Sequence, residues 1–330
     1  MRYATSAYFE GLGDVVVQYT FANWDYVYLK AMHRKIAEHG VRNLFVGSSH
    51  AMNGIIESDL EGGTDDNVNL SISSQDIFFD YQHIQKAIGE AEQAGRPIKN
   101  CIINFGYYMM YQDLSRSTTM NYLIPRVYHP LFGDSGWHHL EKKEPYDRLA
   151  AMDFNREYFP EAVIRPLCEY WSEQFALEQS SYYGPVITRE KINIMGLKKI
   201  IWNEYPEEAK REYAIHRTED HNSLGKHKES HEENIRLIHE MVKTLADHKI
   251  KPVFLIMPFA DLYKEYINPE YKKDIYRTLN DLPYPVEFFD MNDLPEDVFS
   301  DKDFMDTDHL NLEGAHKASA IVNALLKDIG

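Results

Sequence analysis

Four residues of this chain have the types and the spacing for nucleophilic acyl chemistry. Ser48 and Ser49 follow Gly47 where an apolar run, Leu44-Phe45-Val46, stops and a segment with helical character begins. Far along the chain, Asp306 and His309 stand three residues apart in "FMDTDHLNLEGAHKA" (304–318). A serine hydroxyl needs a base to take its proton, and the base needs a carboxylate to fix its tautomer and stabilise its charged form. An Asp-x-x-His turn supplies both from one loop. A serine at a helix start also sits among N–H groups without intrahelical partners, near the positive end of the macrodipole, and both stabilise an oxyanion forming beside it. Each site has a plainer reading: Ser48 or Ser49 as an N-cap, and the Asp306 turn as a cap of the last helix with His309 incidental. Asp308 is the other acidic candidate, but it adjoins His309 and its side chain is expected to point away.

The elements that would position these residues are legible in the hydropathy pattern. Five short apolar runs read as buried strands, at 43–46, 67–72, 100–105, 252–257 and 285–289. They are near-continuously apolar rather than alternating, as suits a parallel sheet covered on both faces. Helical patterns lie between them. One covers 76–94, with Ile77, Tyr81, Ile84, Ile88 and Ala91 on one face and Gly95 and Pro97 as its stop. Another covers 230–248 and opens with Ser230-x-x-Glu233, a capping-box pattern. A third starts at about 314, and an earlier one, about 24–39, ends at Gly40. Strands alternating with helices imply an open, doubly wound α/β sheet. Such sheets bind ligands at the carboxyl ends of their strands, where Gly47-Ser48-Ser49 stands. Gly47 allows the backbone a sharp turn there.

The stretch from 107 to 229 is far longer than an ordinary crossover and holds much of the aromatic content, Trp137 and Trp171 included. It reads as a helical, aromatic cap inserted into a single domain spanning 1–330. Its tyrosines and tryptophans suit either core packing or stacking on sugar rings. The segment "HRTEDHNSLGKHKESH" (216–231) reads as a solvated loop, its four histidines lacking a metal-ligand spacing.

Composition excludes several classes. A net charge of −17 argues against a nucleic-acid partner. No run of about 18 apolar residues occurs, so no membrane insertion is expected. Cys101 and Cys168 form no disulfide framework. The start of the chain lacks the pattern of a signal peptide, so a cytoplasmic protein is expected.

Taken together, the two serine and histidine blocks resemble the SGNH (GDSL-like) hydrolase superfamily. Gly47-Ser48-Ser49 matches its first block, with Ser48 where Asp is usual, and resembles the Gly-Ser-Ser of branches acting on cell-envelope polymers. Asp306, His309 and the following "HLNLEGA" match its last block. The resemblance covers about 40–105 and 230–328. It implies a three-layer α/β/α sandwich of flavodoxin-like type, strand order 2-1-3-4-5, with Ser49, His309 and Asp306 as catalytic residues. It places oxyanion donors at the N–H groups of Ser49 and Ser74, the latter in "NLSISSQD" (69–76), where Ser74 also suits a helix cap. The superfamily's third block carries an Asn side chain as a further donor. Here "FGYYMM" (105–110) has Tyr108 at that position, a hydroxyl of longer reach. His50, Tyr107 and Tyr108 are the expected substrate contacts.

The expectation is therefore a serine esterase or O-acyltransferase acting on an O-acyl ester, with acetyl the expected group, through an acyl-Ser49. The resemblance points to a carbohydrate or surface polysaccharide as substrate. No metal and no cofactor are expected. The competing class is a non-catalytic ligand-binding protein on the same scaffold, motivated by the missing Asn. A flavodoxin-like phosphate binder using the Gly47–Ser49 turn leaves Asp306 and His309 unexplained.

Overall fold

A computed structural model describes residues 24–140 and 202–329. Five strands form one sheet: β1 (Asn43–Val46), β2 (Asn67–Asn69), β3 (Asn100–Phe105), β4 (Lys251–Ile256) and β5 (Glu287–Asp290). All pairings are parallel and the order is β2-β1-β3-β4-β5. The longer helices are α1 (Trp24–His39), α2 (Ser49–Gly54), α3 (Ile77–Gln93), α4 (Glu207–Ser223), α5 (Lys228–Asp247), α6 (Asp261–Tyr266), α7 (Pro269–Asn280) and α8 (Leu312–Ile329).

The strand residues divide alternately between two cores, which is why continuously apolar strands suit this sheet. Leu44, Val46, Cys101, Ile103, Phe254 and Ile256 face a core built with α1, α3, α5 and α7. Phe45, Ile102, Val253 and Leu255 face the other, built with α2 and α8. Helices thus cover both faces. At the amino ends of three strands, a ladder of amides fixes the register. Asn43 donates to Asn67 and Asn100 donates to Asn43, each at 2.8 Å. At the other end, Gly47 meets β3 closely. Its φ is +149°, and a Cβ there would lie 2.7 Å from the Asn104 Cβ and 2.9 Å from the Asn104 carbonyl oxygen.

Several boundaries differ from those expected. β2 stops at Asn69 rather than continuing to 72, because the Asn69 side chain turns the chain. Its amide donates to the Ala51 carbonyl and its oxygen accepts the Ser71 N–H. β5 starts at Glu287, not 285. α3 is capped by Asp76, whose carboxylate accepts the Phe79 N–H at 3.1 Å; Ser74 does not cap it. α5 starts two residues before Ser230, so the expected capping box is not formed: Ser230 is buried and its hydroxyl has no partner among the described residues. The segment 216–231 is not a loop. It comprises the end of α4, a short turn at Leu224–Lys226 and the start of α5.

Of the expected cap at 107–229, the part at 141–201, with Trp171, lies outside the described residues. The remainder occupies two places. The strap after β3 runs beside α3 and α1, with Tyr128 stacked on Phe79 at 3.7 Å and Phe132 edge-on to His83. Trp137 is buried against His129. α4 instead packs on α6 at the carboxyl edge, where Asn222 donates to the Tyr266 carbonyl and Arg217 reaches Asp308.

Candidate active site

The first segment of the site is the turn after β1. Ser48 stands at the N-cap position of α2, but its side chain makes no capping bond. Ser49 opens the helix and turns its hydroxyl toward the last connection of the chain. That connection is a tight hairpin closed by a bridge between Phe304 and Leu310 and by the Met305 N–H donating to the His309 carbonyl at 3.0 Å. Gly314 lets α8 press onto it: a Cβ there would lie 2.1 Å from the Asp303 carbonyl oxygen. The Ala260 N–H, donated to the Thr307 carbonyl, ties the hairpin to the end of β4.

At the hairpin tip, His309 Nε2 lies 2.7 Å from Ser49 Oγ. Its Nδ1 faces both oxygens of Asp306, at 2.9 and 3.0 Å. A carboxylate only accepts, so Nδ1 carries the proton and Nε2 offers its lone pair to the serine hydroxyl. Asp306 is itself held, because its Oδ1 accepts the N–H groups of Asp308 and His309 at 2.9 and 2.8 Å. Residues 260 positions apart in sequence thus form a linear hydroxyl–imidazole–carboxylate chain.

The electrostatics favour a basic His309. Burial opposes the imidazolium, but Asp306 and then Asp308 outweigh it, and the histidine is held above its ordinary value. Asp308 belongs to a different set of contacts. Its side chain is fully buried and takes a forked guanidinium from Arg217, with Nε at 3.0 and 3.1 Å and Nη2 at 2.9 Å. His50 Nε2 adds a third donor at 3.2 Å. Burial would raise the Asp308 carboxyl, but His309, Arg217 and His50 hold it well below the usual range. The expectation that Asp308 points away from His309 is not met: its Oδ1 lies 3.7 Å from His309 Nδ1 and adds its charge there.

His50 is not an open substrate contact. Its side chain is fully buried and bonded to Asp308, and burial holds the ring neutral. Tyr107 is also committed elsewhere: its hydroxyl donates to Asp290 at 2.7 Å. Tyr108 is buried and its ring stacks on His221 at 3.7 Å. Burial raises its hydroxyl above the ordinary value, so it remains a neutral donor. Ser74 lies on the loop after β2, beside the β1 turn, with φ at +61°. Its carbonyl accepts the Gln112 amide at 3.0 Å, and its N–H makes no bond among the described residues. No protein-family profile matches this chain, and no curated protein matches it.

Three participants were not expected from sequence. Arg217 and Tyr213 lie four residues apart on one side of α4, and His221 continues that row. His221 accepts or donates at 2.6 Å with the Tyr263 hydroxyl. Tyr213 is half-exposed, and burial together with the Asp306 and Asp308 charges pushes its hydroxyl up to about 12. The i, i+4 spacing was the available signal, hidden by reading the segment as a loop. His50, Asp308 and His309 also offer ligand atoms close enough for a metal. Arg217 already neutralises the one carboxylate of that set, which disfavours a cation there.

Proposed function

We propose that this chain is a serine esterase or O-acyltransferase of SGNH type, working through an acyl-Ser49 intermediate. The observation that carries this reading is the 2.7 Å contact between Ser49 Oγ and His309 Nε2, with Nδ1 of the same ring held by Asp306. In acylation, Nε2 takes the Ser49 proton as Oγ attacks the ester carbonyl carbon, and the carbonyl oxygen becomes an oxyanion. The backbone N–H groups of Ser49 and Ser74 are the donors assigned to it. The imidazolium, stabilised by Asp306, then gives its proton to the departing alcohol. Water or an acceptor hydroxyl repeats the sequence in reverse and frees Ser49. The carbohydrate ester, with acetyl as the acyl group, is assigned by the Gly-Ser-Ser resemblance. The half-exposed Tyr213 beside Asp306 is a surface suited to a sugar ring.

A fluorophosphonate probe tests this reading. Labelling of the wild-type chain and none of Ser49→Ala is expected; equal labelling of both would exclude Ser49 as nucleophile. A second reading, a ligand-binding protein without turnover, has one observation in its favour. Tyr108 stands where an Asn donor is usual, and the nearby Asn104 amide is spent on the Leu255 carbonyl at 3.1 Å. On that reading the wild-type chain does not label.

A further inference from the structure

Between the starts of α3 and α5, four side chains converge that the acyl chemistry does not use: Asp113, His138 and His139 from the strap after β3, and Glu233 from α5. The His138 side chain is only 6% exposed and lies flat on the Phe78 ring at 3.8 Å, yet neither of its ring nitrogens has a hydrogen-bond partner among the described residues. A buried imidazole in that state bears a desolvation cost with nothing to offset it. Its nitrogens face carboxylates beyond hydrogen-bond reach, Nδ1 at 3.9 Å from Asp113 and Nε2 at 3.6 Å from Glu233. His139 stacks on it and repeats the pattern, Nδ1 at 3.1 Å from Asp113 and Nε2 at 3.4 Å from Glu233. The buried Ser230 hydroxyl, also without a hydrogen-bond partner among the described residues, lines an open cavity of about 560 Å³ together with Asp113, His139 and Glu233.

One ligand atom from each of Asp113, His138 and His139 lies within 4.8 Å of the others. Tetrahedral zinc bonds of about 2.0–2.2 Å set neighbouring ligands roughly 3.3–3.6 Å apart. Asp113 Oδ2 lies 3.1 Å from His139 Nδ1 and Asp113 Oδ1 lies 3.9 Å from His138 Nδ1, so the two oxygens of one carboxylate stand near that spacing. We propose that Asp113, His138 and His139 bind a divalent transition-metal ion of the zinc class. Asp113 and the two Nδ1 atoms are the ligands. Glu233, which faces the two Nε2 atoms at 3.6 and 3.4 Å, would accept from their N–H groups with the ion bound, the outer-shell arrangement that fixes the tautomer of a ligating histidine. The cavity leaves the fourth position to water. Arg116, 3.4 Å from Asp113, is the competing cation, and Glu229 at 2.9 Å offers it another carboxylate. An ion here pins the strap to α5. Gln112, next to Asp113, holds the Ser74 carbonyl, so the ion also steadies that turn.

The test is calorimetric titration of the full chain, stripped with EDTA and desalted, with Zn²⁺, repeated with Co²⁺ to read its visible ligand-field bands. One ion per chain is expected. Glu233→Gln should weaken binding by the roughly 10–100-fold that losing an outer-shell partner costs, and His139→Ala by more. His139 is half-exposed, so its removal should leave the fold intact where His138→Ala would not. His309→Ala, which breaks the other candidate cluster, should leave zinc affinity unchanged. The proposal fails if the wild-type chain binds no zinc, if His139→Ala binds as wild type does, or if His309→Ala abolishes binding.

Discussion

At the residue scale, the hydroxyl proton of Ser49 has one acceptor in reach among the described residues, His309 Nε2, and that acceptor must be neutral to take it. Asp306 and Asp308 hold His309 above its ordinary value of about 6.5, so the base is neutral only at higher pH. We expect kcat/KM for a short-chain aryl ester to rise with pH through one ionisation above that value. Asp306→Asn removes the nearer charge, so the rise should move to lower pH while its plateau drops at least about tenfold, with an upper bound near the 10⁴-fold of a well-studied triad. An unmoved profile would remove Asp306 from the mechanism. The two serines separate equally cleanly. Ser49→Ala should abolish turnover. Ser48→Ala should retain most of it, because the Ser48 hydroxyl only approaches the buried His50 ring at 3.5 Å.

At the element scale, the site depends on two close contacts. Where β1 leaves the sheet, Gly47→Ala would drive a Cβ into the β3 backbone at Asn104 with φ still at +149°. Overpacking of this kind costs about 1–3 kcal/mol, and backbone strain adds to it. A lower denaturant midpoint with an unchanged slope would register the loss. α4 is held to the 304–310 hairpin by the Arg217–Asp308 fork. Breaking a buried ion pair costs about 3–5 kcal/mol when the partner is left unpaired. Arg217 keeps 30% of its side chain exposed and His50 stays on Asp308, so about 2–3 kcal/mol is expected for Arg217→Met. The double variant with Asp308→Asn should lose less than the sum of the two single changes. Strict additivity would show that the fork holds nothing.

At the scale of the whole molecule, stability should carry the mark of buried acids, Glu57, Asp76 and Asp80 among them, whose carboxyls burial pushes up. Glu57 lies under the sheet edge with the Tyr28 hydroxyl 3.4 Å away, and burial pushes its carboxyl up to about 7. The unfolded chain releases that proton near 4.5, the folded chain only near 7, so the folded state binds more protons between those values. Its contribution to stability therefore falls as pH rises through that window and levels off above it. Glu57→Gln keeps the shape and removes the charge. It should be neutral at pH 4 and stabilising by about 2–3 kcal/mol at pH 8. Chemical denaturation at the two pH values measures the difference, and the same gain at both would refute it.

The five strands, their parallel sheet and the positions of Ser49, Asp306 and His309 at loop ends were legible in the sequence. Runs such as Leu44-Phe45-Val46 must be buried on both faces, and small polar residues directly after them mark where the backbone leaves the core. The Asp76 cap and the depth of His50 were not legible, since either of two neighbouring polar residues satisfies the local pattern and packing chooses between them. Only the tertiary structure decided that Ser49 and His309 meet, because no local preference acts across 260 positions. It alone assembled Arg217 with Asp308 and His138 with Asp113, whose spacings in the chain match no motif. Local sequence determines which segments must be buried and where they end. Which charges then face one another depends on the register of the sheet and the packing of helices onto it, and long-range burial sets both.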